Sequence, residues 1–315
     1  GFGIIEISKV LSILKPDLML VSADRSETLA ATIASTQLGI PTIHVEGGDV
    51  TEGGAMDDNI RHAISKLSHL HLTTNLEAED RLKKMGEESW RIKTIGLPSL
   101  DNIKKNNIAN SKKLLDQFQL NLDSPILLFT QHSVATEYKE VVGQIMPSLD
   151  ALEQLAKKGM QIIVTYPNND IGGVQIIEQI KKLELREIKN IRIYKSLGGQ
   201  IYHGLLALRT NLNANIICVG NSSSGIKETP FFNCPAVNIG SRQAGRLKAE
   251  NVLTVNYNKD EIINAIIYCS SDSKFKMKCK NVSNPYFFGN AGKAAVEFIK
   301  EIKINKKLLI KKMTI

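Results

Sequence analysis

Cysteine is scarce in this chain, and its spacing excludes two kinds of site. The 315 residues contain four cysteines, Cys218, Cys234, Cys269 and Cys279. No two of them form a CxxC pair, so the sequence indicates neither a zinc site nor a disulfide framework. We therefore expect a protein of the reducing cytoplasm without a metal site.

Long apolar runs and aromatic residues are also lacking. No apolar run reaches the length of about 18 residues that a membrane span needs, and the first residues do not resemble a signal peptide. Aromatic residues make up 5% of the chain, which leaves little for stacking on bases. The net charge is +8, but seven lysines against two glutamates from Gly292 onward supply +5 of it. Such a basic terminal helix is typical of a solvated face, so we expect no nucleic acid partner, and the lack of a membrane span argues against a membrane partner. The mild positive charge of the rest of the chain suits an anionic small substrate.

What the chain has is a regular alternation of apolar and amphipathic runs. At 315 residues and 43% hydrophobic content, it can bury a large core and form two domains. The alternation predicts an α/β fold with parallel sheets covered by helices on both faces. Helices are expected to begin near Glu27, Asp57 and Leu76. The expected strands are residues 18–21, 41–45, 70–73, 91–95, 126–129, 161–165, 191–194, 215–219, 236–239 and 252–255.

A Lys/Asn-rich span at residues 104–110 divides this series of strands. The division predicts two Rossmann-like domains, residues 1–105 and 106–290, followed by a helix and basic tail at 291–315. The first domain is shorter than the second, and we expect it to be incomplete.

Polar residues follow several strands, where open parallel sheets bind their ligands. Acids collect on the first half, as Asp24 and Glu46. Candidate binders of phosphate and ribose collect on the second half, in the runs Thr130-Gln131-His132-Ser133 and Tyr166-Pro167-Asn168-Asn169-Asp170. We therefore expect proton chemistry at one wall of a cleft and nucleotide diphosphate binding at the other.

The segment from Cys218 to Glu228 is the most informative one. An apolar strand there ends in Asn221, three serines and Gly225, and a helix with an acid follows. The free N–H groups and the dipole of such a helix favour an anion. Glu228, one turn inside the helix, can accept hydrogen bonds from vicinal hydroxyls. The alternative is an ordinary strand, turn and helix with a serine N-cap.

The other acids also have structural alternatives. Asp24 and Arg25 can form a pair at a helix N-terminus, and Glu46 can belong to a turn. Asp57 and Arg61 are an i,i+4 pair on a helix that begins with acids.

His69 and His71 alternate on one strand, as a pair of metal ligands would. A third ligand is absent nearby in the sequence. This favours buried histidines with protein partners.

The joint order of the motifs carries a resemblance over nearly the whole chain, through Gly289-Asn290-Ala291. The motifs are His44-Val45-Glu46-Gly47-Gly48-Asp49, Asp57-Asp58-Asn59-Ile60-Arg61-His62 continuing to His71, Gln131-His132, Gly220-Asn221-Ser222-Ser223-Ser224-Gly225 and Asn238-Ile239-Gly240-Ser241-Arg242 continuing to Arg246. Their succession resembles the hydrolysing UDP-N-acetylglucosamine 2-epimerases. These include the epimerase half of the bifunctional vertebrate sialic acid enzyme and bacterial enzymes of sialic and legionaminic acid pathways.

The resemblance implies a fold and a set of site residues. The fold is two Rossmann-like domains, as in glycosyltransferase-B enzymes, with UDP in the cleft between them and a C-terminal helix that returns to the first domain. The implied UDP-sugar ligands are Arg25, His132, Asn168, Ser222, Ser223, Glu228 and Arg242, with the backbone near Leu197 at the uracil. The implied catalytic residues are Asp24, Glu46, Asp57 and His132, with Asp58 as a rival of Asp57. The histidines that match family residues important for activity are His44, His69 and His71.

The chain departs from the family pattern in two places. The family begins with a strand and a Gly-Thr-Arg-like turn that meets the diphosphate. This chain begins in what resembles a later helix, so we expect that roughly 70–90 residues, two or three βα units, are missing before it. Some relatives have His-Gly before the Asp-Arg pair, where this chain has Ser22 and Ala23, so a histidine role at that position is absent.

The implied chemistry explains the acids. The C2 hydrogen of a nucleotide sugar has no neighbouring carbonyl to acidify it, so its removal must accompany departure of UDP from C1. General acid or base assistance contributes about 10²–10⁴-fold to such a step. We expect a hydrolysing epimerase of UDP-N-acetylglucosamine or UDP-N,N'-diacetylbacillosamine that needs no cofactor and forms a homodimer or homotetramer. The alternatives are a non-hydrolysing epimerase, which retains UDP, and a catalytically silent nucleotide-sugar binding protein.

Overall fold

Apolar strands and amphipathic helices alternate along the chain, and the computed structural model assembles them into two parallel sheets. It describes residues 1–51, 55–104 and 108–314. The chain divides into two compact units. Unit 1 comprises Gly1–Thr51, Ala55–Asp101 and Tyr286–Ile315, and unit 2 comprises Asn102–Pro285. The boundary predicted near residue 105 lies outside the described residues.

The sheet of unit 1 has four parallel strands in the order of the sequence. They are β1 (Met19–Ser22), β2 (Thr42–Val45), β3 (Leu70–Thr73) and β4 (Ile92–Thr94). The helices of this part are α1 (Phe2–Leu14), α2 (Ser26–Gln37), α3 (Ala55–Leu67) and α4 (Leu76–Lys84), and α5 (Ser99–Lys104) includes the division between Asp101 and Asn102. Every residue of β2 and β3 is buried, as is usual for parallel strands covered on both faces.

The sheet of unit 2 has six parallel strands in the order β10-β9-β8-β5-β6-β7. They are β5 (Ile126–Thr130), β6 (Gln161–Thr165), β7 (Ile191–Tyr194), β8 (Ile216–Gly220), β9 (Ala236–Ile239) and β10 (Val252–Val255). The helices are α6 (Ser111–Gln117), α7 (Val141–Lys157), α8 (Gly173–Glu184), α9 (Gly198–Asn211), α10 (Ser224–Lys227), α11 (Lys259–Ser271) and α12 (Ser273–Lys280). From β5, the strands β6 and β7 follow in sequence towards one edge of the sheet. From β8, the strands β9 and β10 follow towards the other edge. The direction therefore reverses between the neighbours β5 and β8, which is where ligands of doubly wound sheets bind.

The last part of the chain belongs to unit 1 and contains α13 (Ala291–Glu301) and α14 (Lys306–Leu309). Ala291 and Leu308 join the apolar core formed by β2 and β3. The fully buried Arg91 donates to the carbonyls of Leu308 and Ile310, each at 2.9 Å. Lys311 in turn donates to the carbonyl of Ser68 at 2.7 Å, just beyond the end of α3. Both cations thus satisfy carbonyl groups at helix ends, which have no partner within the helix.

The ten strands expected from the sequence all form, and the predicted α/β class with two Rossmann-like parallel sheets is confirmed. Within the described ranges, no helix has the length and apolar character needed to cross a membrane.

Candidate functional site

Two of the left-handed backbone positions in unit 1 lie at turns that involve a predicted acid. Ala23, next to Asp24, has a φ of 64°, and Glu46 itself has a φ of 66°. This conformation costs roughly 1–2 kcal/mol for a residue with a Cβ atom, so it persists only where the surroundings enforce it. The turns follow Ser22 and Val45, which are partners in the pairing of β1 with β2. The two acids therefore lie at the same edge of the sheet.

A buried arginine fixes the first of these acids. Arg61, on α3, is 2% exposed, and its Nη2 donates to the carboxylate of Asp24. Its Nη1 donates to Asp58 Oδ1 at 2.7 Å and to the carbonyl oxygen of Asp49 at 3.0 Å. Asp24 and Asp58 thus both pair with this buried guanidinium group, which holds Asp24 in a defined position.

Asp58, the rival of Asp57, has structural partners. Its two oxygens each lie 2.9 Å from the backbone nitrogen of Thr51, which donates to them. With Arg61 it forms an i,i+3 pair on α3, where the spacing indicated an i,i+4 pair with Asp57. Asp57 lies half-buried in the first turn of the same helix.

His44 supports the turn that precedes Asp24. Its fully buried ring places Nε2 2.9 Å from the carbonyl oxygen of Ala23 and Nδ1 2.9 Å from the Ser65 hydroxyl. Burial lowers the pKa of His44 to about 4, so the ring is neutral near neutral pH. Because a carbonyl oxygen only accepts, Nε2 carries the proton. Gly47 packs against this ring, where an added Cβ would come within 2.9 Å of Nδ1.

His69 and His71, which alternate on β3 and its approach, both bond to protein groups. His69 Nδ1 accepts from the backbone N–H of Thr42 at 3.1 Å. His71 Nε2 lies 3.0 Å from a carboxylate oxygen of the buried Glu87. Burial alone would raise the pKa of Glu87, but hydrogen bonds from His71 and two lysines outweigh it and lower this pKa to about 2. These two histidines are thus part of the internal hydrogen-bond network of unit 1.

In unit 2, His132 and Asn221 connect the ends of β5 and β8. These are the neighbouring strands between which the order of the sheet reverses. His132 follows β5 and Asn221 follows β8, and these strands pair directly. The buried side chain of Asn221 bonds both main-chain groups of His132, at 2.6 Å to the nitrogen and 2.9 Å to the oxygen. The position of the His132 ring is therefore tied to the second strand end.

The ring of His132 is a neutral hydrogen-bond donor. Burial, and after it the positive charge of Arg242, lowers its pKa to about 4. Its Nδ1 accepts from the backbone N–H of Asn168 at 3.0 Å, so the neutral ring carries its proton on Nε2. That N–H group can donate to an anionic ligand.

Arg242 follows β9 and joins the same cluster. Its Nη1 donates to the carbonyl oxygen of Asn221 at 3.2 Å, and its Nη2 lies 3.5 Å from Asp170 Oδ2. Asp170 also accepts from the side-chain amide of Asn168 at 2.6 Å. The structure thus brings three predicted ligand residues together and adds Asp170, from the polar run after β6.

A pocket of about 390 Å³ opens beside His132. Four predicted site residues line it, namely His132, Leu197, Ser222 and Glu228. Other lining residues are Thr130, Thr165, Tyr166, Lys195, Tyr202, His203 and Ser224. At the base of these loops Gly220 has a φ of 126°, and an added Cβ would lie 1.9 Å from the carbonyl oxygen of Thr130. Hydroxyls, a neutral N–H donor, a carboxylate and the apolar Leu197 suit a nucleoside diphosphate.

The helix expected after the serine turn is shorter than the sequence suggested. It is α10, four residues long, and a 3-10 turn over Thr229–Phe232 follows it. Pro230 explains the break, since proline has no N–H to extend a helix. Glu228 therefore sits at the junction of the two turns, and so short a helix adds little dipole. Hydrogen-bonding side chains, such as Ser222 and Ser224 with their hydroxyls 3.1 Å apart, remain as the polar surface of this turn.

Arg25 and Ser223 complete the set of predicted residues. Arg25 is exposed and immediately precedes α2, in unit 1. Ser223 is half-buried and immediately precedes α10, in unit 2. Arg25 is the one predicted UDP-sugar ligand that belongs to unit 1.

Two residues with evident roles were missed by sequence reasoning. The motif that contains Arg61 was recognised, but its bond to Asp24, 37 residues away, has no local signal. His203, which bonds Glu228, lies in the middle of α9 and looks like an ordinary helix residue.

Comparison with known proteins identifies the family. The family model described as UDP-N-acetylglucosamine 2-epimerase matches residues 1–300. A Campylobacter jejuni protein, GDP/UDP-N,N'-diacetylbacillosamine 2-epimerase (hydrolyzing), is 36% identical over 78% of this chain and 62% of its own length. The chain thus spans less than two thirds of that relative. A Legionella pneumophila protein, UDP-N,N'-diacetylbacillosamine 2-epimerase (hydrolyzing), is 32% identical over 99% of this chain and 78% of its own length.

A solved structure shows the same fold. It is the UDP-GlcNAc 2-epimerase from Neisseria meningitidis bound to UDP-GlcNAc, which superposes with a TM-score of 0.81 at 22% identity. The superposition covers 95% of this chain and 80% of that one. With a family model that matches almost its entire length and two relatives above 30% identity, the chain belongs to the UDP-N-acetylglucosamine 2-epimerase family.

Proposed function

We propose that this protein is a hydrolysing UDP-sugar 2-epimerase, which converts a UDP-2-acetamido sugar and water to UDP and the free 2-epimer. The observation that carries the proposal is the division of chemistry between the two sheets. Unit 1 holds Asp24 and Glu46 at enforced left-handed turns, and unit 2 surrounds a pocket with the neutral ring of His132, hydroxyl groups, Lys195 and Glu228. The names of the relatives support the hydrolysing type of reaction.

The reaction begins with elimination. A carboxylate takes the C2 proton while the C1–O bond breaks and UDP leaves with the bonding electrons, so a glycal forms. Water then adds to C1, and C2 receives a proton on the opposite face. Two proton carriers at C2 and a stabilised leaving group are therefore required.

The pocket of unit 2 is assigned to UDP. His132 Nε2–H, the cation of Arg242 and the hydroxyls of Ser222 and Ser223 would stabilise the diphosphate as it leaves. Glu228 would accept from the ribose hydroxyls. The backbone near Leu197 would contact the uracil, and the amide of Asn168 would support the diphosphate site.

The acids of unit 1 are assigned to proton transfer at C2. Asp24, Glu46 and Asp57 are the proposed proton carriers, with Asp58 as the rival of Asp57. Arg61 and His44 would keep Asp24 in position, the first through its carboxylate and the second through the backbone of Ala23. Arg25 would contribute a positive charge to the same side of the substrate.

We also propose a specific substrate, a biosynthetic pathway, a cellular compartment and an oligomeric state. The relatives favour UDP-N,N'-diacetylbacillosamine over UDP-N-acetylglucosamine, and the ratio of their kcat/KM values tests this choice. The product would enter sialic- or legionaminic-type nonulosonic acid synthesis in the cytoplasm, which fits four free, buried thiols. A homodimer or homotetramer follows from the family resemblance, and sedimentation tests it.

Turnover in heavy water tests the reaction. We expect stoichiometric release of free UDP and a free amino sugar that carries deuterium at C2. Deuterium in the UDP-sugar without net UDP release would instead identify a non-hydrolysing epimerase. UDP binding in calorimetry without either product would identify a binding protein. A free epimer with no solvent hydrogen at C2 would exclude elimination.

A further inference from the structure

The pocket of unit 2 contains a hydrogen-bonded pair of side chains, Glu228 and His203, and the proposed function assigns a role only to Glu228. His203, on α9, places Nε2 2.9 Å from Glu228 Oε2, and both residues line the pocket. The two side chains are only 14% and 17% exposed. A hydrogen bond with so little access to water is stronger than one on the surface.

The ring of His203 is held from two sides. It stacks on Phe232, with ring centroids 6.0 Å apart and planes 29° from parallel. Tyr202 meets it edge to face at 5.9 Å, and the Tyr202 hydroxyl is itself fixed by Ser224 Oγ at 2.8 Å. The packing therefore restricts rotation of the ring and keeps Nε2 directed at Glu228.

The chemistry of the pair sets the direction of its hydrogen bond. An ionised carboxylate only accepts, so His203 Nε2 carries a proton and donates it to Oε2. A carboxylate has about four acceptor positions on two oxygens, and the bond from His203 occupies one of them. What the bond removes is rotational freedom of the carboxylate, which a ligand would otherwise have to restrict on binding.

We propose that His203 is a positioning residue for ribose recognition: by holding Glu228 Oε2 it presents the carboxylate to the 2′- and 3′-hydroxyls and makes the pocket selective for ribonucleoside diphosphates. The proposal rests on the assignment of Glu228 to the ribose. It goes beyond that assignment, because it makes the selectivity depend on His203. This residue donates to Glu228 and does not itself contact the ligand.

Two substitutions separate the ring of His203 from its donor. His203→Phe keeps an aromatic ring against Phe232 and removes the N–H group. His203→Gln removes the ring and keeps an N–H donor at a similar distance from the backbone. If the N–H donor of His203 acts through Glu228, the preference for UDP should be lost in His203→Phe and recovered in His203→Gln.

Calorimetry with UDP and with 2′,3′-dideoxy-UDP on the full chain is the test. We expect His203→Phe to bind UDP roughly tenfold more weakly, as for loss of part of a hydrogen bond to a charged group, and to bind the dideoxy analogue within about twofold of wild type. His203→Gln should restore most of the preference for UDP. Equal losses for both ligands would show that His203 contacts the base or only supports the fold, and would overturn the proposal. Should His203→Phe fail to fold, the flexible His203→Met fills the same space without a donor, and the same outcomes apply.

Glu228→Gln distinguishes this proposal from the assignment beneath it. If Glu228→Gln abolishes the preference for UDP while His203→Phe retains it, Glu228 binds the ribose and the role of His203 is wrong. If Glu228→Gln keeps the preference, the ribose assignment fails and the proposal falls with it. If both variants lose it and the double variant loses no more than either one, the two residues act as a unit, as proposed.

Discussion

The two sheet edges that carry the predicted site residues differ in how they handle charge. At the edge of unit 1, Asp24 and Asp58 share the buried Arg61, and strain is concentrated in the turns beside them. At the edge of unit 2, His132 is neutral and serine hydroxyls line the pocket. A group that moves a proton must be an acid or a base, whereas a group that holds a leaving anion need only donate. The difference suggests that chemistry and nucleotide affinity can be changed separately.

The largest expected effect is on turnover. Asp24→Asn and Glu46→Gln should each lower kcat by about 10²–10⁴-fold, the contribution of a general acid or base, with UDP affinity nearly unchanged. Glu77→Gln removes an exposed acid on α4 and should change neither quantity. Steady-state UDP release and UDP calorimetry check both. Normal turnover in either amide variant would remove that acid from the mechanism.

A comparable effect is expected on stability when the charge balance of unit 1 is broken. Arg61→Met leaves two carboxylates without their buried partner and should destabilise the protein by about 3–5 kcal/mol. The matched control is Arg186→Met in unit 2, which removes an ion pair with Glu153 from an arginine that is 47% exposed. That pair should contribute less than about 1 kcal/mol. Urea unfolding measures both, and equal losses would contradict the view that burial makes the Arg61 cluster critical.

The neutral histidines predict a dependence of stability on acid. The pKa of His132 is about 4 in the folded protein, below its ordinary value of 6.5. Above pH 6.5 the ring is neutral in both the folded and the unfolded state, so it contributes nothing to the pH dependence of stability. As the pH falls from about 6.5 towards 4, the unfolded chain binds a proton that the folded one does not, so stability drops by about 1 kcal/mol per pH unit.

His132→Gln removes the ring that binds this proton. The free energy of unfolding should therefore fall less steeply as the pH is lowered. His44 has a similarly lowered pKa of about 4, so His44→Gln should do the same for unit 1. Denaturant unfolding between about pH 7 and pH 5 gives the slopes. Slopes identical to wild type would mean that these rings become protonated in the folded state.

The smallest effect expected is a gain. Glu46→Gly relieves the left-handed conformation at that position and should stabilise the protein by about 1 kcal/mol while turnover is lost. Glu187 is a matched control, since it has a φ of 49°, is exposed and is not one of the candidate residues. Glu187→Gly should give a similar gain in melting temperature with full activity. A gain at position 187 alone would show that the turn at Glu46 is not strained.

Much of the fold could be predicted from the sequence, because buried parallel strands are continuous apolar runs. The strands β3, β6, β7, β9 and β10 have the predicted limits, and the other five differ by one residue at one or both ends. The helix α10 was overestimated because its ending at Pro230 was not considered. For the site, candidate residues such as Asp24, Glu46 and His132 do follow strand ends in the structure, and their roles stay predictions. Their partners could not be predicted, since Arg61 meets Asp24 and His203 meets Glu228 only through tertiary packing.

The return of the chain to unit 1 has a consequence for synthesis. The apolar surface of β2 and β3 is covered by Ala291 and Leu308, and the end of α3 is capped by Lys311, which lies 243 positions after Ser68. Asn102–Pro285 of unit 2 form one continuous stretch, which can fold once it has left the ribosome. Residues 1–101 of unit 1 are translated before this stretch and residues 286–314 after it, so for that interval the apolar surface of β2 and β3 lacks Ala291 and Leu308. Nascent-chain aggregation and chaperone binding should therefore concentrate on β2 and β3, and decline once residues 286–311 emerge.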